Sequence, residues 1–393
     1  MAHRADNHQS ARLHALDAIR AIALLSGIVL HSALSYAPGI DPQLWPFKDG
    51  QQGIAMSLTI FLIHIFRMPV FFLLAGFFAY TLFHRYGTQE FLRNRAMRIL
   101  LPLALGWVVC IVCIAGVVLW YLTKLNGGQT PKSIPPSLAN VGLNFLHLWF
   151  LYTLCWLYVG VVLFRRAVYA IDQENLLTRL ADRVVRYTVS PFKSLLLAAP
   201  ISMALSLQPA WVYWFGIPTP GYTLVPPAVP LLIYGYVFGL GWVLNRQRDL
   251  LERLGSSWLM RVLIGLGAAL LCLMIAEPQV SVATVNDMQS KLIYAVLYAI
   301  AIVSLMFGFI GLGISFFSKP SPIVRYLSDS SYWVYIAHLP VVMALQAWLM
   351  FYDIHWAIKF VIVTVATCVV LLVMYRYWVR SSWVGLLLNG KRY

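Results

Sequence analysis

Long apolar runs, separated by short polar stretches, fill this chain almost from end to end. Ten can be marked, near 14–36, 54–83, 99–122, 141–164, 195–215, 225–244, 258–276, 290–317, 330–351 and 356–379. A helix of about 20 residues crosses about 30 Å of hydrocarbon, and each run is close to that length or beyond it. The pattern predicts an all-α polytopic membrane protein of about ten transmembrane helices, forming a single domain over 1–393. Runs five and six are the weak pair, interrupted by Pro200, Pro209, Pro226 and Pro227. Losing both would leave the later topology unchanged, while losing one would invert it. The stretch around 165–193 alternates Arg with Val, Ile and Leu at helical spacing, which predicts an amphipathic helix on the inner membrane surface. The outer loops are short, so any chemistry has to be housed among the transmembrane helices.

Composition excludes a soluble fold. With 61% hydrophobic and 11% charged residues in 393, a soluble protein could not hide its apolar surface. The net charge of +15 would suit a nucleic-acid partner, but the basic residues are scattered between apolar runs, as in loops on one side of a membrane. No nucleic-acid partner is expected. Of the 29 Lys and Arg residues, only Lys48, Lys124, Lys132, Lys291 and Lys359 fall on the side opposite the N-terminus. Arg20 and Arg67 lie within apolar runs, and the rest, among them Arg4, Arg12, Arg261, Lys391 and Arg392, share the N-terminal side. This bias predicts that both termini are cytoplasmic. The first run has signal-peptide features, including a weak cleavage pattern at Ala33–Ala37, but Asp17 and Arg20 inside it favour a retained helix.

Cys110, Cys113, Cys155, Cys272 and Cys368 all fall in apolar runs and read as small buried hydrophobes. Cys110 and Cys113 have CxxC spacing, but no second pair supports a metal or redox centre, so no metal site is expected.

The polar residues inside the runs carry the chemistry. Arg20 and His31 are eleven residues apart, which returns them to within about 20° on one helical face, about 16 Å apart along the axis. Asp17 shares that face. A charge and an imidazole on one stripe of a membrane helix mark a functional site by default. His31 is the candidate general base, since its unperturbed pKa lies near neutrality, with Asp17 and Arg20 holding or polarising it. The alternative is an ion pair that locks the first helix to its neighbours. His64 and Arg67 sit three apart in IHIFRMPVFFLLAGFF, where Arg67 needs a partner and Asp17 is a candidate. The adjacent Ala75-Gly76 pair lets another backbone approach closely.

Arg93, Arg95 and Arg98 cluster in RNRAMRIL at the inner end of the third helix. They read either as positive-inside anchors or as a phosphate clamp for a nucleotide-bearing donor, since guanidinium forks match phosphate oxygens. In SDSSYWVYIAHLP, Ser331, Tyr335 and His338 share one face, as a packing seam or a site. His147 precedes LWFLYTL at the start of the fourth helix, where Trp149 and Tyr152 would equally suit an interfacial aromatic belt.

Taken together, Arg20-x10-His31, the RxxR of Arg95 and Arg98, the FF-LLAGFF stretch and the SYWVYIAHLP segment resemble the acyltransferase family 3 membrane proteins. The likeness runs from the first helix to the ninth. The HLWFL and FRMP stretches are similar to the glucans biosynthesis protein C branch of that family. Ala75 departs from the pattern, because many members carry serine there, and no hydroxyl role is carried over.

The resemblance implies transfer of an acyl group, succinyl or acetyl, from cytoplasmic acyl-CoA to a hydroxyl of an extracytoplasmic carbohydrate. Acyl-CoA would be a co-substrate, and no tightly bound cofactor is expected. His31 would be the catalytic histidine, and Arg95 and Arg98 would contact the CoA phosphates. His338 and Tyr335, with Arg67, His64, His147 and Trp149, are the candidate substrate-binding residues. The rival reading is a transporter or flippase using the same buried charges as a substrate or proton path. Broken helices in matched halves would favour it, whereas the prolines here cluster only around 200–230.

Overall fold

The computed structural model describes residues 2–390 apart from 43, 131–143, 221–222, 278 and 282–286, with the backbone alone over 2–13. Lys132, Lys391, Arg392, the side chains of Arg4 and Arg12 and the expected start of the fourth run at 141 lie outside that description. Among the described residues the chain is helical, with no strand. The helices are α1 (Ala2–Ala33), α2 (Ile54–Arg95), α3 (Leu101–Leu125), α4 (Trp149–Ile171), α5 (Leu176–Thr188), α6 (Ala199–Ser206) and α7 (Ala228–Arg246). They continue with α8 (Leu250–Ser256), α9 (Trp258–Ala276), α10 (Met288–Phe316), α11 (Pro322–Leu349), α12 (Trp356–Met374) and α13 (Trp383–Asn389).

Eight helical stretches among the described residues are long and apolar enough to cross a membrane. One of them, Ile54–Leu125, covers 72 residues and merges the second and third expected runs. A straight helix of that length would reach about 108 Å. Instead the Phe47 ring, just ahead of α2, lies 5.2 Å from the ring of Tyr121 near the end of α3. The stretch therefore turns back on itself. Gly87 makes the turn, with φ 73° and ψ 179° inside α2, a backbone that glycine adopts without a Cβ penalty. The expected fifth run is the other correction. Lys193–Ser206 forms a short apolar helix, and the chain leaves helical geometry by Gln208-Pro209 instead of continuing to 215.

The most enclosed helix is α10, which packs against α9, α8, α6, α2 and α1. Small residues set that proximity: a Cβ on Gly311 would stand 2.2 Å from the Leu254 carbonyl oxygen. The α2–α7 contact works the same way. A Cβ on Gly76 or on Gly241 would lie 1.9 Å from the backbone oxygen of Phe238 or Leu73, so these backbones meet only through glycine. At the periphery, Val108, Val109 and Val112 of α3, Leu263, Leu266 and Leu270 of α9, and Val361, Val365 and Val369 of α12 face outward. Such exposed apolar stripes are what lipid-facing helices present.

The amphipathic helix expected near 165–193 is present as α5. Ion pairs Arg246–Asp182 (2.7 Å) and Arg186–Asp249 (2.8 Å) fasten it to the end of α7 and the start of α8. Two basic residues assigned to loops are instead interior. Arg261 is fully buried on α9 and donates to Ser257 Oγ, Ser194 Oγ and the Val189 carbonyl. Lys359 on α12 is buried against Asp49, with Nζ 2.6 Å from Oδ2. Hydropathy counts such residues as boundary markers because it does not see the side chains and carbonyls that, in place of water, accept their hydrogen bonds.

Candidate active site

The wall of a cavity of about 380 Å³ includes Leu388 and Asn389 of α13, Arg98 and Ile99, and stripes from four longer helices whose side chains are spaced three or four residues apart. From its mouth inward, α1 gives Arg20 and Leu24, and α2 gives Phe78, Leu74 and Phe71. Tyr158, Leu154 and Leu151 come from α4, and Ser328, Ser331 and Tyr335 from α11. Three-and-four spacing keeps each set on one face of its helix, so every stripe can be extended by one step. The next positions on these faces are Gly27 and then His31 on α1, Arg67 on α2, His147 just before α4, and His338 on α11. Four stripes thus end on three imidazoles and one guanidinium.

The three histidines form one cluster. Ring centroids lie 5.2 Å apart for His31–His338, 4.7 Å for His147–His338 and 6.5 Å for His31–His147. A proline explains how His147 is held. Pro340 has no N–H for the carbonyl of Ile336 four residues earlier, and that freed oxygen accepts from His147 Nε2 at 3.0 Å. It also accepts from Cys110 Sγ at 3.3 Å. Cys110 is therefore buried and bonded, while Cys113, three residues on, is exposed. Tyr335 Oη donates to the His147 carbonyl at 2.6 Å. Locally, Leu146 adopts φ 51°, the left-handed region that is uncommon for leucine, and its N–H is taken up by Asn144 Oδ1 at 2.8 Å. His147 consequently sits in a 3-10 turn ahead of α4 and not on the helix itself.

Hydrogen bonds to carbonyls also fix the tautomers, because a carbonyl can only accept. His338 Nδ1 donates to the Tyr335 carbonyl at 2.7 Å, which leaves Nε2 buried with a bare lone pair. His147 donates through Nε2, which leaves Nδ1 buried and bare. His31, half-buried in the last turn of α1, likewise has Nδ1 buried without a partner.

The end of α1 is closed by side chains that the hydropathy pattern did not single out. Helix termini leave carbonyls unpaired, and the fully buried Gln346 donates to those of His31 and Ser32, each at 3.1 Å. Trp45 stacks on His31 at 5.8 Å, and its Nε1 donates to Ser35 Oγ (3.0 Å) and Gln346 Oε1 (3.1 Å).

Arg67 is 93% buried. Its guanidinium lies against α1 at Gly27, where a Cβ would stand 2.9 Å from Cζ and Nη2. Gly27 is one helical turn below His31, and the Arg67 charge acts on all three imidazoles. Asp17 is not its partner. That carboxylate pairs with Arg20 on its own helix at 3.0 Å, about 15 Å further along α1.

Arg20 therefore belongs with the cavity mouth and does not touch His31. Its Nη2 donates to Ser328 Oγ at 2.7 Å. Arg95 and Arg98 line the same mouth, Arg95 just before and Arg98 within a single π-helical turn at Ala96–Leu100, a feature frequent at functional sites. Arg95 lies over the Tyr158 ring at 5.5 Å, and Arg98 Nη1 donates to the Asn389 carbonyl of α13 at 3.3 Å. Arg93 is different: it is exposed, pairs with Glu90 at 3.6 Å and does not line the cavity.

The remaining sequence candidates pack beside the cluster. His64 Nδ1 contacts the Ile60 carbonyl at 3.3 Å and its ring meets Phe215. Trp149 packs between Phe72 and Tyr234, with ring centroids 6.3 Å and 5.7 Å away.

The acyltransferase domain family matches this chain over residues 13–376. The glucans biosynthesis protein C of Escherichia coli strain SMS-3-5 is 35% identical over 92 residues, which is 23% of this chain and 23% of that protein. The same protein from Escherichia coli strain HS gives the same identity and shares. The chain thus spans less than a quarter of the length of these curated relatives. No solved structure matches it.

Proposed function

The chain belongs to the acyltransferase domain family, and from that premise we propose that it moves an acyl group, succinyl or acetyl, from cytoplasmic acyl-CoA to a hydroxyl of an extracytoplasmic glucan or other surface carbohydrate. The observation that carries this reading is the shared course of four stripes, from three arginines at the cavity mouth toward three histidines that lie one or two helical steps beyond its last lining residues, Leu24, Leu151 and Tyr335. Such a track suits a long donor with anionic phosphates at one end and a reactive thioester at the other. With Ile54–Leu125 crossing twice and the short helix Lys193–Ser206 completing a further passage, the chain makes ten crossings of a bacterial inner membrane and both termini are cytoplasmic.

In this reading Arg20, Arg95 and Arg98 hold the donor phosphates, where guanidinium geometry matches phosphate oxygens. The pantetheine arm runs along Leu24, Phe71, Leu74 and Leu154 toward the cluster. His31 accepts the proton of the incoming hydroxyl as it attacks the thioester. His147 and His338 offer bare nitrogen lone pairs beside it, which orient the reacting hydroxyls. Asp17 sets the rotamer of Arg20 and acts at the mouth, not on His31.

The test uses the purified full chain in detergent or nanodiscs with acetyl-CoA and succinyl-CoA, with and without a periplasmic glucan, and measures free CoA. Acceptor-dependent release that is lost in a folded His31→Ala variant supports the reading. Release that is unaffected by that substitution overturns it.

A further inference from the structure

Arg67 is the one group in the cluster that carries a fixed positive charge, and its surroundings give it no anion. Among the described residues no carboxylate lies within ion-pair distance of it, and its buried Nε has no hydrogen-bond partner. Buried charges are normally paired, since removing a guanidinium from water is costly. Its placement is specific as well. The guanidinium rests in the space that Gly27 leaves, one turn below His31, and continues the α2 stripe of Phe71, Leu74 and Phe78. Phe71 is the last lining residue of that stripe, and a donor reaching one helical step beyond it would bring its thioester into the interval between Arg67 and His31.

From this geometry we infer that Arg67 is a catalytic residue that binds the oxyanion formed on the thioester carbonyl. This rests on the acyl-CoA reading above. The acceptor hydroxyl attacks the carbonyl carbon, a C–O bond forms, and the carbonyl π electrons move onto oxygen while His31 takes the hydroxyl proton. The oxyanion then reforms C=O, the C–S bond breaks, and the sulfur leaves as CoA thiol with the proton from His31. Throughout, the charge on oxygen appears and disappears beside a cation that is already buried and oriented. Preorganised donors of this kind act only where charge develops, which is why they raise kcat and leave ground-state binding largely alone.

The spacing also separates this role from recognition of an anionic acyl tail. The four-residue rise from Gly27 to His31, about 6 Å, suffices for a nitrogen–oxygen–carbon–oxygen–nitrogen path from His31 through the reacting carbonyl to Arg67. A carboxylate at the far end of a dicarboxylic acyl group would lie several bonds further off.

The experiment compares wild type with Arg67→Gln and Arg67→Lys, using acetyl-CoA and succinyl-CoA as donors. Arg67→Gln is expected to lower kcat by about 100-fold with both donors while KM for acyl-CoA changes less than threefold, and Arg67→Lys should recover part of the loss. A loss confined to succinyl-CoA overturns the inference and assigns Arg67 to the acyl tail. A rise in KM with kcat intact also overturns it, as ground-state binding. Gly27→Ala provides the second test should Arg67→Gln fail to fold, because it displaces the guanidinium without deleting it. A kcat drop with both donors supports the role, and an unchanged kcat refutes it. Absence of wild-type transfer from any acyl-CoA would instead defeat the proposed function itself.

Discussion

Trp45 lies face to face with His31, their ring planes 20° from parallel and their centroids 5.8 Å apart. The residue comes from the segment between α1 and α2, and Ser35 and Gln346 hold its indole N–H. It therefore covers the imidazole on the side away from the arginine-lined mouth. A general base beside a thioester has to be shielded from water, or hydrolysis competes with transfer. Trp45→Ala should raise acceptor-independent CoA release and cost about 3 kcal/mol of stability by leaving a cavity. Trp45→Phe, which keeps the stack and loses the hydrogen bonds, should hydrolyse far less. Free CoA measured without acceptor, alongside thermal melting, checks both.

That cover is anchored by a buried ion pair. Asp49, in the same segment, meets Lys359 of α12 at 2.6 Å, with both side chains about 95% enclosed. Removing one member of such a pair strands the other, at about 3–5 kcal/mol. Lys359→Met should therefore lower the melting temperature sharply and also loosen Trp45, adding acceptor-independent hydrolysis. Asp49 Oδ1 also accepts from the Gln51 N–H at 2.9 Å, so Asn at that position preserves the turn while removing the charge. The double variant Asp49→Asn, Lys359→Met should recover most of the stability. A double variant no more stable than Lys359→Met would show that the charge pairing is not what matters.

At the other end of the track, the arginines divide by position. Arg95 lines the cavity mouth, whereas Arg93 projects outward to Glu90. Arg95→Ala should raise KM for acyl-CoA about tenfold, roughly one charge-assisted hydrogen bond, without changing KM for the acceptor. Arg93→Ala should leave both constants within about twofold, as exposed pairs contribute little. Steady-state kinetics with each substrate varied in turn distinguishes the two. Equal effects would mean that the cluster acts only as a diffuse positive surface.

Much of this arrangement was legible in the chain itself. Periodicity marked the apolar helices, and the eleven-residue interval puts Arg20 and His31 on one face of α1, with Arg20 on the cavity wall and His31 in the histidine cluster beyond it. The same reasoning grouped Ser331, Tyr335 and His338. What it could not supply was pairing across distance. Hydropathy records whether a segment prefers lipid to water, not which helix it faces. Trp45 and Gln346 are 301 residues apart, and nothing local marks either as part of the site. Lys359 and Arg261 look like membrane-boundary charges until their partners are known. Asp17 was within helical reach of Arg20 and satisfied it locally, so Arg67 stayed without the partner expected for it. One link was readable in principle: Pro340 follows Ile336 by four residues, which guarantees a free carbonyl in the middle of α11.

The two nitrogens of His338 offer a test that a packing role and a chemical role answer in opposite ways. Nδ1 donates to the Tyr335 carbonyl at 2.7 Å, so that nitrogen secures the ring to its own helix. Nε2 is buried with its lone pair directed into the cluster, 5.2 Å from His31 between ring centroids. Asparagine places an amide N–H near the position of Nδ1 but nothing at Nε2, while glutamine reaches the Nε2 position with a carbonyl oxygen that accepts. If the ring serves packing alone, His338→Asn should be the better tolerated change in activity. If the lone pair orients a reacting hydroxyl, His338→Gln should retain the larger share of kcat, and His338→Asn should fall about 100-fold below wild type. We expect the second order, because the helix bond at Nδ1 could be made by many side chains, whereas the bare nitrogen beside His31 could not. Measured kcat values for two folded variants in the opposite order would remove His338 from the chemistry and leave His31 and His147 to carry it.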